Sequence, residues 1–187
     1  MSGLRVIAGN AKGRRLKQVP GEGTRPITDR VKEALFNILA DEVRDARVLD
    51  LFAGTGGVGI EALSRGAAYA EFVEAGRAAA GVILDNLRHT ELAALGRVIR
   101  SDVFIHLRNH PRQGFDYVHV APPQYQELWI KTLTALDRRP EWVNPDGVVV
   151  AQIDPKEYSE QALRHFTLID QRRYGSTLLC FYERLAE

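Results

Sequence analysis

Residues 47–59 read Arg47-Val48-Leu49-Asp50-Leu51-Phe52-Ala53-Gly54-Thr55-Gly56-Gly57-Val58-Gly59, an apolar strand that ends in an acid and runs into a glycine-rich turn. Gly54, Gly56 and Gly59 let the backbone bend tightly and approach a ligand without Cβ interference. The following Val58-Gly59-Ile60-Glu61-Ala62-Leu63-Ser64-Arg65 reads as a helix closed by Gly66. Strand, glycine turn and helix make one half of a Rossmann-type unit.

Two cofactor classes use such a turn. Gly54-x-Gly56-x-x-Gly59 fits the dinucleotide fingerprint, and Glu74, 20 residues past Gly54, stands where a ribose-binding acid belongs. The competing class binds S-adenosylmethionine (SAM). Asp50 favours it, because a carboxylate there meets the ammonium of a methionine moiety and repels a pyrophosphate. The bland alternative is a turn with no ligand, against which three glycines cost backbone entropy without packing return.

Working outward, 187 residues suit one domain with a sizeable core. No apolar run reaches membrane-spanning length, and Met1-Ser2-Gly3-Leu4-Arg5 lacks a secretory apolar stretch, so a cytoplasmic protein is expected. The lone Cys180, within Leu178-Leu179-Cys180-Phe181-Tyr182, reads as a buried strand thiol. The five histidines form no metal-ligand spacing, so no metal is expected.

The net charge of +1 hides an asymmetry. Residues 1–32 carry eight basic side chains against Glu22 and Asp29, a net of +6, which leaves −5 for the remainder. A basic arm that meets a polyanion is one reading; a solvated hairpin rich in Lys and Arg is the other. Leu4 to Ala8 and Arg14 to Val19 look like the two strands of that hairpin. Past Pro20-Gly21-Glu22-Gly23, Thr28 or Asp29 caps a helix whose apolar face is Val31, Leu35, Ile38 and Leu39.

From Arg47 onward strand-like runs at 47–53, 69–74, 97–100, 115–121 and 146–153 alternate with helices, which predicts βαβ units and a parallel sheet. The last two runs, 165–170 and 177–183, are joined by a turn around Gly175 and must be antiparallel, since a parallel pair needs a longer crossover. A mostly parallel sheet finished by a C-terminal antiparallel strand is the SAM-dependent methyltransferase version of the Rossmann-like α/β plan. A small N-terminal β-hairpin would precede it. The expected organisation is a basic extension over 1–23 and a methyltransferase domain over 24–187.

Four stretches carry a family resemblance: Arg5-Val6-Ile7-Ala8-Gly9 with Lys12-Gly13-Arg14-Arg15-Leu16; Thr24-Arg25-Pro26-Ile27-Thr28-Asp29-Arg30-Val31-Lys32-Glu33-Ala34-Leu35-Phe36-Asn37-Ile38-Leu39; Val48 to Gly56; and Arg173-Tyr174-Gly175-Ser176-Thr177. In this order they closely resemble the RsmD family, bacterial 16S ribosomal RNA guanine-N2 methyltransferases. The resemblance implies methyl transfer from SAM to the exocyclic amine of a small-subunit rRNA guanine. It places Asp50, Phe52, Gly54, Thr55 and Gly56 at the methionine end of SAM, Glu74 at the ribose hydroxyls, and Asp102 with the Val103 backbone at the adenine. Taken alone, Asp102 is equally an N-cap for a helix over Val103 to Asn109. Arg5, Lys12, Arg14, Arg15, Lys17 and Arg25 become the RNA-binding set. The partner would be small-subunit rRNA or an assembling 30S subunit, met by a monomer.

The fourth strand departs from the family pattern. Exocyclic-amine methyltransferases end it in Asp or Asn, then Pro-Pro, then Tyr or Phe; here it reads Ala121-Pro122-Pro123-Gln124-Tyr125. In the usual chemistry a side-chain oxygen and the first proline's carbonyl accept the two amine hydrogens, while the aromatic ring stacks on the flipped base. Ala121 supplies no acceptor. One expectation is an active enzyme in which Gln124 replaces the carboxylate and Tyr125 or Trp129 stacks on the base. The others are a SAM- or RNA-binding assembly factor with little transfer, an NAD-dependent oxidoreductase, and a DNA or small-molecule methyltransferase.

Overall fold

Val48, Leu49, Asp50 and Leu51 are all buried, as a strand covered on both faces requires. In the computed structural model, which describes residues 4–21 and 26–186, they belong to β1 (Arg47–Leu51). The chain continues through α2 (Gly57–Ser64), β2 (Tyr69–Glu74), α3 (Arg77–His89), β3 (Gly96–Arg100), α4 (Val103–Leu107), β4 (Phe115–Val120), α5 (Leu128–Arg138), β5 (Val143–Ile153), β6 (Phe166–Tyr174) and β7 (Thr177–Arg184); α1 (Asp29–Leu39) precedes them. Thr28 is the N-cap of α1, its hydroxyl accepting from the Val31 N–H at 3.3 Å.

Among the described residues seven strands form one sheet in the order β3-β2-β1-β4-β5-β7-β6. The pairs from β3 through β5 are parallel, whereas β7 runs antiparallel to both β5 and β6. The Rossmann-like plan with a reversed C-terminal strand is therefore present. Leu35 of α1, Ile60 of α2 and Ile83 of α3 cover one face, and Leu107 of α4 and Trp129 of α5 cover the other. After β3 the chain crosses back over β1 to begin β4. That reversal opens a crevice beyond the carboxyl ends of β1 and β4. No helix among the described residues is long and apolar enough to cross a membrane. Cys180 lies fully buried in β7, where loss of water pushes its thiol up to about 11.

The N-terminal hairpin is less regular than its sequence suggests. Its two arms meet through one antiparallel bridge, Arg5 with Arg15, flanked by hydrogen bonds from Val6 N to Arg14 O and from Leu16 N to Leu4 O. The reason lies in α2 and α3, which take the backbone groups a ladder would use. Glu61 accepts from the N–H groups of Ile7 (2.9 Å) and Ala8 (3.0 Å), and Ser64 Oγ accepts from Ala11 N and donates to Ala8 O. Asn86 both accepts from and donates to the Lys17 backbone. Leu4, Val6, Ala11 and Leu16 join the same apolar core as α1–α3. At Gly9 a Cβ would fall 1.8 Å from the Ser64 carbonyl oxygen, so glycine is required there for the close approach.

Glu61 is wholly buried and closes two ion pairs, with the equally buried Lys32 Nζ at 3.3 Å and with Arg65 Nε at 2.9 Å. Lys32 also donates to the Arg5 carbonyl, and burial lowers its pKa below the usual lysine range. Removing one member of such a set strands the other charge without water. Glu61→Ala should therefore cost about 3–5 kcal/mol of stability in chemical denaturation. Glu61→Ala combined with Lys32→Met should recover part of that loss.

Candidate functional site

Three carboxylates mark the carboxyl ends of β1, β2 and β3. Asp50 sits one residue before the end of β1, 2% exposed, with one oxygen accepting from the Gly59 N–H at 3.1 Å. That N–H belongs to the first turn of α2, whose early amides have no intrahelical partner, so Asp50 caps the helix from the sheet. Burial pushes the Asp50 pKa up to about 8; the Gly59 hydrogen bond opposes this, and the neighbouring Glu74 carboxylate adds to it. Glu74, the last residue of β2, accepts from Gly54 N at 2.8 Å and from Gly76 N at 2.9 Å, tying the glycine turn to the loop before α3. Asp102, just past β3, is the N-cap of α4, with Oδ1 accepting from Phe104 N and Ile105 N. The α4 helix ends at Leu107, two residues short of the expected Asn109, whose side chain instead donates to the His106 carbonyl.

None of these three acids is in a salt bridge among the described residues. The pattern repels a pyrophosphate and suits a cationic ligand that also offers hydroxyl and amine donors.

The turn between Asp50 and α2 is shaped for a close neighbour. Phe52 has φ 60°, a conformation costly for a side-chain-bearing residue, followed by Gly54 at φ 58° and Gly56 at φ 80°. A Cβ on Gly54 would meet nothing within 4 Å, so this face of the backbone is open to an incoming group. Gly59 is needed for another reason. Inside α2, a Cβ there would fall 2.3 Å from the Phe72 ring, so glycine permits close helix–sheet packing. Thr55 is buried, its hydroxyl accepting from Gly57 N and its carbonyl from Asn86 Nδ2. Asn86, absent from the sequence-based expectations, thus joins the turn, α3 and the N-terminal segment. Its only sequence signal is a polar residue on the apolar face of a helix. Val103 is buried at the start of α4 behind Asp102.

The Pro-Pro corner follows β4. Ala121 and Pro122 are partly exposed, and Pro123, Gln124 and Tyr125 are exposed. Tyr125 is held at φ 61° by two hydrogen bonds, its N–H to Glu157 Oε1 and its hydroxyl to Asp154 Oδ2, both 2.7 Å. Asp154 and Glu157 form a capping box on the short turn after β5, which braces the loop after β4. Trp129 is not available to a base: it is 1% exposed in the core and stacks on Tyr158 at 6.3 Å, because its place on the first turn of α5 faces the sheet.

Beneath Ala121 lies a buried polar chain that the sequence did not announce. His119 is 1% exposed, with Nδ1 2.6 Å from the Tyr117 hydroxyl and Nε2 3.0 Å from Gln152 Oε1. Loss of water pushes the His119 pKa down to about 4, so the ring is neutral near pH 7. The tautomer that satisfies all three groups has Tyr117 donating to Nδ1 and Nε2–H donating to Gln152. The register Val120↔Ala151, continued by one residue, sets Gln152 opposite Ala121, and strand alternation carries both onto the face of His119.

The expected RNA contacts divide. Arg5 pairs with Asp29, Arg14 with Glu91 and Lys17 with Asp85, at 3.0, 3.2 and 2.9 Å. Such exposed pairs are worth at most about 1 kcal/mol and are readily exchanged for phosphate. Lys12 and Arg15 are exposed and form no ion pair among the described residues. Thr24 and Arg25 lie outside the described residues.

Comparison with known proteins agrees with this geometry. The family model described as Conserved hypothetical protein 95 matches residues 4–183. Ribosomal RNA small subunit methyltransferase D of Escherichia coli K12 is 33% identical over 186 residues, 98% of this chain and 91% of that protein. A Bacillus subtilis protein assigned as an rRNA methyltransferase, YlbH, is 37% identical over 183 residues, 97% of this chain and 99% of its own length. Among solved structures, an Escherichia coli protein assigned as a methyltransferase, yhhF, superposes with a TM-score of 0.85 at 35% identity, covering 98% of both chains.

Because folding raises the Asp50 pKa, the native state holds that proton more tightly than the unfolded chain. The resulting stabilisation is complete below about pH 4 and is lost as pH rises through about 8. Asp50→Asn keeps an acceptor for Gly59 but removes this dependence. In the absence of ligand the variant should match the wild type near pH 4 and exceed it by a few kcal/mol, in order of magnitude, at pH 8.5. Parallel denaturation profiles would show that Asp50 titrates normally.

Proposed function

Since the chain belongs to the RsmD family, we propose that it transfers a methyl group from SAM to the exocyclic N2 amine of a guanine in small-subunit rRNA. The observation that carries this reading is the row of carboxylates Asp50, Glu74 and Asp102, without a cationic partner, at the carboxyl ends of three adjacent parallel strands.

The residues present fit the cofactor. Asp50, buried and short of compensating charge, would hold the ammonium of the methionine moiety, with Phe52, Gly54, Thr55 and Gly56 forming the surrounding turn. Glu74 retains lone pairs for the ribose hydroxyls while bracing the turn. Asp102 and the Val103 backbone would hold the adenine edge. When bound, SAM supplies an electrophilic methyl group on a sulfonium.

The chain itself must deliver an amine nitrogen in line with that methyl group. The Pro122 carbonyl accepts one amine hydrogen. A carboxamide accepts the other in place of the acid missing at Ala121. Two are available. Gln124 is exposed on the loop, whereas Gln152 stands opposite Ala121 and is oriented by neutral His119. The second position favours Gln152. Tyr125 presents its ring to the flipped base, with Asp154 and Glu157 fixing its backbone and hydroxyl. The basic N-terminal segment 1–23 contributes RNA contacts to the methyltransferase body 24–187, and Arg25 joins them. The substrate is small-subunit rRNA or an assembling 30S subunit, and the protein acts as a cytoplasmic monomer.

Incubation of tritiated SAM with small subunits from cells lacking this protein should place label in rRNA, recovered after nuclease digestion as N2-methylguanosine. SAM binding without any transfer would identify a binding factor, and tight NAD binding in place of SAM would identify an oxidoreductase. Gln152→Ala should lower single-turnover transfer by about tenfold or more with little change in SAM affinity, since the lost interaction forms in the transition state. Gln124→Ala should cost less. The reverse order would assign the acceptor to Gln124.

A further inference from the structure

Between α4 and α5, on the face of the sheet opposite the N-terminal segment, lies a groove of about 480 Å³. Phe104 and Ile130 contribute to its apolar floor, and Arg108, Lys131, Arg138 and Arg139 supply four cations. No acid is among its lining residues. Arg108, Lys131 and Arg138 are exposed and enter no ion pair among the described residues, and of the four only Arg139 is partly engaged there, at 3.6 Å from Glu141. This distribution differs from that of the N-terminal segment, where Arg5, Arg14 and Lys17 already hold carboxylates of the same chain.

We propose that this groove binds single-stranded rRNA flanking the target nucleotide, an interaction that rests on the rRNA methyltransferase reading. Both helices start at the carboxyl edge of the sheet, where the reaction site lies, and run down its side. The α5 helix follows directly on the Pro122-to-Glu127 loop, so a strand leaving that loop has the groove in its path. Lys131 and Arg138 are seven residues apart, two helical turns on one face, and space their charges about 10 Å along that path. At the upper end Phe104 packs edge-on against Phe52 of the cofactor turn, ring centroids 6.4 Å apart. An apolar floor with an aromatic ring, rimmed by cations, is the chemistry that takes an unstacked base and its phosphates. An acidic protein surface would satisfy the cations and leave the floor without a partner.

The test uses the full chain carrying Arg108→Gln, Lys131→Gln and Arg138→Gln together, with deproteinised 16S rRNA and small ribosomal subunits as separate probes across a salt series. The expected result with both probes is a log–log salt slope reduced by about 2, at roughly 0.7 for each phosphate no longer neutralised. KM for RNA should rise tenfold or more while kcat and SAM affinity hold. A second variant, Ile130→Glu, should weaken RNA in the same way without removing a cation. Unchanged slope and KM in both variants, with wild-type transfer intact, overturn the groove and leave the methyltransferase reading standing. Weakening on subunits alone would assign the groove to a ribosomal protein and also overturn the proposal. A wild-type chain that binds neither RNA overturns both readings.

Discussion

Glu61 sits fully buried at the junction of three elements, and much of the site's geometry follows from how its charge is satisfied. Its oxygens receive two backbone N–H groups from the N-terminal segment, the ammonium of Lys32 from α1 and the guanidinium of Arg65 one helical turn on. A carboxylate in this position has no water to fall back on, so all these partners are held together or none is. The result fixes α2 against α1 and the N-terminal segment. Because α2 begins at the glycine turn and takes its cap from Asp50, the same bond set positions the backbone of that turn. Asn86 repeats the principle from α3, binding Lys17 and the Thr55 carbonyl through one buried amide.

The site built on that frame is unusual in its charge. Asp50, Glu74 and Asp102 stand at successive strand ends, and burial drives Asp50 toward its protonated form. At the end of β4 the charge is absent, since the residue there is Ala121. The polar group opposite it, Gln152, is neutral and is oriented from below by a neutral histidine and a tyrosine. The polar groups nearest the end of β4 thus come from β5 and the turn after it, since the loop's tyrosine is also braced by Asp154 and Glu157, which follow β5.

Local rules explain what was legible in advance and what was not. The glycine turn, the acids at 50, 74 and 102, the Thr28 cap and the reversed last strand each leave a signature within a few residues. The regular strands expected at Leu4–Ala8 and Arg14–Val19 failed for a reason far away in sequence: Glu61, Ser64 and Asn86 draw off the hydrogen bonds a ladder needs. Trp129 read as a candidate stacking ring because it follows the Pro-Pro corner, yet the helical phase of α5 turns it into the core. The +6 charge of residues 1–32 is a property of composition, which does not say that Arg5, Arg14 and Lys17 face acids on other elements.

By itself the sequence determined the α/β alternation, the glycine-rich turn, the antiparallel finish and the absence of an acid at position 121, because each is written in residue type and short-range spacing. The tertiary structure alone decided which polar groups meet. Gln152 comes opposite Ala121 only through the pairing of β4 with β5. Tyr125 reaches Asp154 across 29 residues, and the cations of α4 and α5 gather only when the two helices pack side by side. Hydrogen bonds and charge pairing act over a few ångströms, and chain separation carries no information about which groups folding brings within that range.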